Sequence, residues 1–116
     1  MKFHGMVRAT EAQTLRAILD YLTLKGVLHI RLNPTKPFTD RRTSHLRFAP
    51  VRQGQAGAPD ILLFLPGGRT VGVEVKSATG RQSPAQRLWQ VNLEAAGVTY
   101  ILARGLEDVM EVLTHA

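Results

Sequence analysis

Asp60-Ile61-Leu62-Leu63-Phe64-Leu65-Pro66-Gly67-Gly68-Arg69-Thr70-Val71-Gly72-Val73-Glu74-Val75-Lys76-Ser77 consists of two apolar runs joined by Pro-Gly-Gly. Pro and Gly together mark a turn, and the flanking runs are rich in β-prone residues. Residues 60–65 and 70–77 therefore read as two strands of a hairpin. A hairpin centred on Gly67 sets Asp60 opposite Glu74, equally far along the two arms. Directly opposed residues of an antiparallel pair point to the same side of the sheet. Lys76, two residues beyond Glu74, shares that side. The other side receives Ile61, Leu63, Val73 and Val75, an apolar set suited to a core. A slip of one residue would exchange the two faces.

Two carboxylates held at about 5 Å repel each other unless a cation lies between them. Oxygen ligands of this kind suit Mg²⁺ or Mn²⁺, which can polarise a phosphoryl oxygen and activate water. The Lys76 ammonium could orient that water or stabilise charge developing on a phosphate. From spacing alone the competing reading is a surface Glu74–Lys76 ion pair beside an unrelated Asp60.

Working outward, residues 10–25 read as a helix, with Leu15, Ile18, Leu19 and Leu22 on one stripe, Thr10 and Gln13 as a capping box, and Gly26 as the stop. Glu11 extends the stripe as the series 11, 15, 18, 22. It is either an acid favoured by the helix dipole or a carboxylate reaching the site. Residues 27–32 read as a strand. On the far side of the hairpin, Ser83-Pro84-Ala85-Gln86 opens a helix that runs to about residue 96 and stops at Gly97. Gln86 is explained fully by capping, yet its amide could also reach the site from the helix start. Trp89, at helical spacing from Ala85, reads as core rather than as a base-stacking platform. Residues 98–103 form a further strand and 106–113 a last helix.

Residues 33–59 break this regularity. They hold Pro34, Pro37, Pro50, Gly54 and Gly57 and show no sustained period; residues 47–51 fit a short strand. From Arg31 to Arg52 six basic residues face Asp40 alone, a local charge of +5 in a chain whose total is +6. Such an excess points to a polyanion, most often nucleic acid, and Arg41, Arg42, Arg47 and Arg52 are the expected backbone contacts. No amphipathic helix accompanies the basic residues, which argues against a membrane surface.

The remaining composition sets bounds. A length of 116 residues suits one compact domain over 1–116, and 44% apolar residues is ordinary for a globular chain. The absence of cysteine excludes disulfides and cysteine-zinc sites and suits a cytoplasmic setting. No basic segment followed by an apolar stretch suggests a signal peptide. The four histidines, His4, His29, His45 and His115, lack paired metal-ligand spacing.

Pro59-Asp60 followed by Glu74-Val75-Lys76 resembles the PD-(D/E)xK nuclease motif. With Gly57-Ala58-Pro59-Asp60-Ile61-Leu62-Leu63, Gly80-Arg81-Gln82-Ser83-Pro84-Ala85-Gln86-Arg87-Leu88-Trp89 and Ala95-Ala96-Gly97-Val98, the chain is similar to the VRR-NUC branch, the virus-type replication-repair nucleases, over residues 10–113. The resemblance implies an α/β fold with a restriction-endonuclease-like α-β-β-β-α-β core, its mixed central sheet flanked by helices. It implies Asp60, Glu74 and the Val75 carbonyl as ligands of Mg²⁺ or Mn²⁺, with Glu11 completing the site, often through water. Lys76 becomes the catalytic lysine and Gln86 the glutamine that follows the core motif. Short single-domain members look like homodimers that resolve branched DNA such as Holliday junctions, by a hydrolysis that leaves 5′-phosphate and 3′-hydroxyl ends. The competing expectations are a binding module without catalysis, or a nuclease for flaps or RNA.

Overall fold

The computed structural model describes residues 8–32, 37–39, 46–48 and 56–115. Helix α1 spans Glu11–Leu24 and strand β1 spans Leu28–Arg31. Two short strands follow, β2 (Pro37–Thr39) and β3 (Leu46–Phe48). They pair antiparallel in a two-stranded sheet of their own. Strand β4 (Ile61–Leu65) and strand β5 (Arg69–Val75) are joined by a single 3-10 turn, Pro66–Gly68. Helix α2 (Pro84–Ala95), strand β6 (Thr99–Ala103) and helix α3 (Leu106–Thr114) complete the chain.

The main sheet has the order β1-β4-β5-β6. The first three strands are antiparallel neighbours, and β6 joins β5 in parallel. A parallel partner needs a crossover, which α2 supplies. The hairpin register is the one expected: Leu65 pairs with Arg69 and Ile61 with Val73, symmetric about Gly67. Gly67 and Gly68 turn the chain at φ +81° and +78°, a region that side chains with a Cβ rarely adopt.

The strict alternation of the hairpin sends each half of its residues to a different layer. Ile61, Leu63, Val71, Val73 and Val75 are fully buried with Ile18 and Leu22 of α1, Val109 of α3 and Ala103 of β6. This is the core, and helices α1 and α3 cover it. Removing the Ile18 side chain to alanine would cost roughly 2–5 kcal/mol, because it is fully buried in this cluster. The opposite face carries Gly72 and Glu74. There α2 packs close: a Cβ on Gly72 would stand 3.3 Å from Pro59 Cγ and 3.5 Å from Leu93 Cδ1. The site expected from the sequence lies on this second face, at the end of β5.

Both caps formed as the sequence indicates. Thr10 with Gln13 and Ser83 with Gln86 each make a full capping box, and Pro84 opens α2. Two features differ from expectation. Strand β2 lies in a stretch whose prolines and lack of period gave no strand signal, and β3 begins one residue earlier than 47–51. Trp89 is half-buried and stands outside the core cluster; its indole N–H donates to Ala56 O at 3.0 Å. It ties the approach to β4 onto α2 instead of filling the interior.

Candidate active site

Asp60 sits one residue before β4 and its backbone is held on both sides. Its N–H donates to Val73 O at 2.9 Å, and its carbonyl accepts from Leu32 N–H at 2.7 Å. These bonds continue the ladders past the end of the strand and fix where the side chain begins. Asp60 Oδ2 then accepts the N–H of Val75 at 2.7 Å. The carboxylate thus satisfies a backbone donor at the edge of the hairpin ladder, a structural duty that the motif alone does not announce. Behind it, Pro59 is buried, and Gly57 (φ +89°) lies so close to α2 that a Cβ would fall 2.6 Å from the Ala85 carbonyl carbon. Only glycine lets the chain pass there.

Glu74 is the unusual residue. Only 2% of its surface is exposed, although it is charged in water at neutral pH. Oε2 accepts the Gln86 side-chain N–H at 3.1 Å. Oε1 is buried and has no hydrogen-bond partner among the described residues. Burial, then the adjacent Asp60 carboxylate, push the Glu74 carboxyl from its ordinary 4.5 up to about 8. Glu11 adds a smaller repulsion in the same direction, and Lys76 opposes it. An anionic Glu74 in this setting calls for a positive partner beyond Lys76.

Gln86 caps its helix and also reaches Glu74. Its Oε1 accepts Ser83 N–H at 2.8 Å, while its Nε2 donates to Glu74. One amide oxygen closes the capping box and the amide nitrogen of the same group holds a buried carboxylate. Lys76 follows Glu74 out of β5, half-buried, with its N–H bonded to Ala103 O at 2.9 Å. Glu11, at the exposed start of α1, is near enough to repel Glu74. Among the described residues, no three His, Cys, Asp or Glu side chains converge tightly enough to hold a metal. Asp60 and Glu74 are the two carboxylates brought together here, and Glu11 acts on Glu74 only through its charge.

These residues fit a hard divalent cation. The pair supplies two carboxylates, one with a buried oxygen that has no hydrogen-bond partner among the described residues. Mg²⁺ in particular is commonly held by one or two carboxylates, with water and substrate phosphate completing its shell. Val75 is fixed here by its N–H bond to Asp60, which places its main chain at the same edge.

Sequence reading missed a polar network beside the pair. Gln82 Nε2 donates both to Gln90 Oε1 at 3.0 Å and to Tyr100 Oη at 3.1 Å. Tyr100 lies opposite Gly72 on β6 and is buried. Burial first, then the charges of Glu74 and Asp60, raise its hydroxyl to about 12, so it stays neutral. Its members come from three separate elements, and no local pattern joins them. Of the expected nucleic-acid contacts, Arg41, Arg42 and Arg52 lie outside the described residues, as does the side chain of Arg47.

Comparison with known proteins gives the family and the fold. The model of the VRR-NUC domain family matches residues 10–107. A solved structure titled "VRR_NUC domain" superposes with a TM-score of 0.63 at 20% identity, covering 92% of this chain and 98% of the other. No curated protein matches.

Proposed function

This chain belongs to the VRR-NUC domain family of PD-(D/E)xK nucleases, and from that premise we propose that it is a divalent-metal-dependent endonuclease that hydrolyses DNA at branched structures such as Holliday junctions. The observation that carries the proposal is the pairing of half-buried Asp60 with buried Glu74, whose Oε1 has no hydrogen-bond partner among the described residues, flanked by Lys76 and Gln86. Mg²⁺ or Mn²⁺ would supply the positive charge that polarises a phosphoryl oxygen and favours deprotonation of water.

Each residue then has a definite task. Asp60 and Glu74 would hold the cation, with the Val75 carbonyl as a further ligand. Gln86 fixes the Glu74 carboxylate, so that it need not reorganise during the reaction. Lys76 orients the attacking water or stabilises charge on the phosphate. Glu11 completes the site through water. The water oxygen bonds to phosphorus, the bond to the 3′ oxygen breaks, and a proton ends on that oxygen, giving 5′-phosphate and 3′-hydroxyl ends. The +5 segment of residues 31–52, with Arg41, Arg42, Arg47 and Arg52, holds the backbone, which carries no direct sequence information, so recognition follows shape.

A homodimer suits paired cuts in a symmetric junction. An apolar surface is compatible with one: Leu28 and Phe64 are register partners, Ile30 lies two residues along β1, and all three are exposed. Among the described residues, no helix is long and apolar enough to cross a membrane. The test is a panel of linear, flap, splayed and four-way DNAs, with an RNA junction in parallel, under Mg²⁺ or Mn²⁺. The four-way DNA should be nicked fastest, and Lys76→Ala should lose that activity. Equal nicking by both proteins would overturn the mechanism, and preference for flaps or RNA would overturn the substrate.

A further inference from the structure

The loop from Lys76 to Ser83 is touched at both ends by arginines that have no part in the chemistry above. Arg104, the first residue after β6, donates from Nη1 to Ser77 O at 2.6 Å. Arg87, one turn into α2, donates from Nη2 to Gln82 O at 3.4 Å. Arg81 lies between them in the loop, and all three residues are exposed. A guanidinium carries five N–H donors in a planar fork. Each of these two bonds uses one donor.

Bracing the loop does not account for the set. The Arg87 bond is long and its acceptor neutral and exposed, so it adds little stability. The loop is already closed by its own turn, in which Gly80 N–H meets Ser77 Oγ at 3.0 Å. The charge is one-sided as well. Between Glu74 and Glu94 the chain holds Lys76, Arg81 and Arg87 and no acid. The acids nearest Arg104 along the chain are Glu107 and Asp108 in the first turn of α3. Asp108 Oδ2 accepts the Arg104 backbone N–H at 2.9 Å, and the Glu107 carboxylate lies against Gly105. The Arg104 guanidinium is bonded instead to the loop that leaves Lys76.

We propose that Arg81, Arg87 and Arg104 form a phosphate-binding rim that grips the nucleic-acid strand beside the Asp60–Glu74 pair, separate from the basic segment of residues 31–52. The proposal rests on the nuclease reading and names the backbone contacts nearest its site. The Arg104 fork, anchored by one arm to the Ser77 carbonyl, is pre-aimed, so less entropy is lost when its free arm meets a phosphate. Such contacts are indifferent to base sequence and strongly dependent on salt.

The experiment measures binding of a labelled four-way DNA junction and a labelled linear duplex over a series of KCl concentrations, without divalent metal. It compares the unsubstituted protein with Arg81→Gln and with the double variant Arg87→Gln/Arg104→Gln. Arg81→Gln lies outside both loop bonds and removes charge alone. Each lost phosphate contact should flatten the slope of log affinity against log salt by about 0.9. The expected flattening is about 0.9 for Arg81→Gln and about 1.8 for the double variant, with weaker binding at low salt. Unchanged slopes in a protein that still cuts DNA overturn the rim alone. Weaker binding at an unchanged slope also overturns it, since that marks a distorted loop. If the unsubstituted protein neither binds nor cuts DNA, the nuclease reading fails and the rim with it.

Discussion

Helices α1 and α2 begin with the same device and put it to different use. Thr10 Oγ1 and Ser83 Oγ each accept the N–H of the glutamine three residues on, both at 3.1 Å. Gln13 Oε1 and Gln86 Oε1 each return to the cap N–H, at 2.9 Å and 2.8 Å. A capping box consumes only the amide oxygen and leaves the NH₂ group free. At α1 the glutamine is exposed and the free group does nothing further among the described residues. At α2 it meets Glu74. The local motif sets the geometry of the glutamine, and the tertiary position of the helix decides whether that geometry becomes part of a site.

The sharpest way to break this comparison is to substitute glutamate at both positions. Glutamate keeps a capping box, so Gln13→Glu should leave cleavage unchanged. Gln86→Glu removes the donor to Glu74 and adds a third carboxylate beside it. Cleavage should fall by roughly 10–100-fold, the usual cost of losing a residue that orients a metal ligand. Equal rates in the two variants would reduce Gln86 to a cap.

Metal affinity should separate the two helix starts by pH. Without metal, the folded Glu74 carboxyl titrates near 8 and its ordinary value is 4.5. The folded state therefore binds more protons between these values, and metal-free stability should fall as pH rises through that window and level off above it. Cation binding has the opposite sign, because the proton must leave first. Mn²⁺ affinity measured by calorimetry should rise from pH 6 to pH 8, by at most about tenfold per unit for one proton. The wild type and Gln13→Glu should share this profile, and Glu74→Gln should lose it.

Packing at the two helix starts differs as well. The first turn of α2 touches Gly57, whereas among the described residues no positive-φ glycine crowds that of α1. Gly57→Ala combines a left-handed φ with a Cβ at 2.6 Å from Ala85 and should cost roughly 1–3 kcal/mol by thermal unfolding. Gly97→Ala has a similar φ of +87° but open space, so its cost should be smaller. The smallest effects belong to the caps themselves. Thr10→Ala and Ser83→Ala should each lose about 1 kcal/mol. Only Ser83→Ala should also slow cleavage.

Much of this was legible in the sequence because it is written locally. Pro66-Gly67-Gly68 sets the hairpin register, and the register alone puts Asp60, Glu74 and Lys76 on one face. Both capping boxes and the Gly26 and Gly97 stops follow from residues within a few positions of each other. Strand β2 was not legible, since Pro37 reads as a breaker and its partner lies across a stretch without period. The Gln82–Tyr100–Gln90 network and the Trp89–Ala56 bond join residues 8 to 33 positions apart across separate elements. The burial of Glu74 was hidden for the same reason. Alternation places it on the face away from the core, where Gln86 of α2 reaches it from a distant part of the chain.

The proposed hydrolytic centre is the Asp60–Glu74 pair, in which Glu74 is enclosed. Single-turnover nicking of a four-way DNA junction in Mn²⁺, wild type against Glu74→Gln, tests it most directly, with circular dichroism confirming that both are folded. Glutamine preserves the shape and can still hydrogen-bond to Gln86, but it removes the charge that a cation needs. The account predicts nicking by the wild type and a loss on the order of 100-fold or more in the variant. Nicking at the same rate by the folded variant would contradict it.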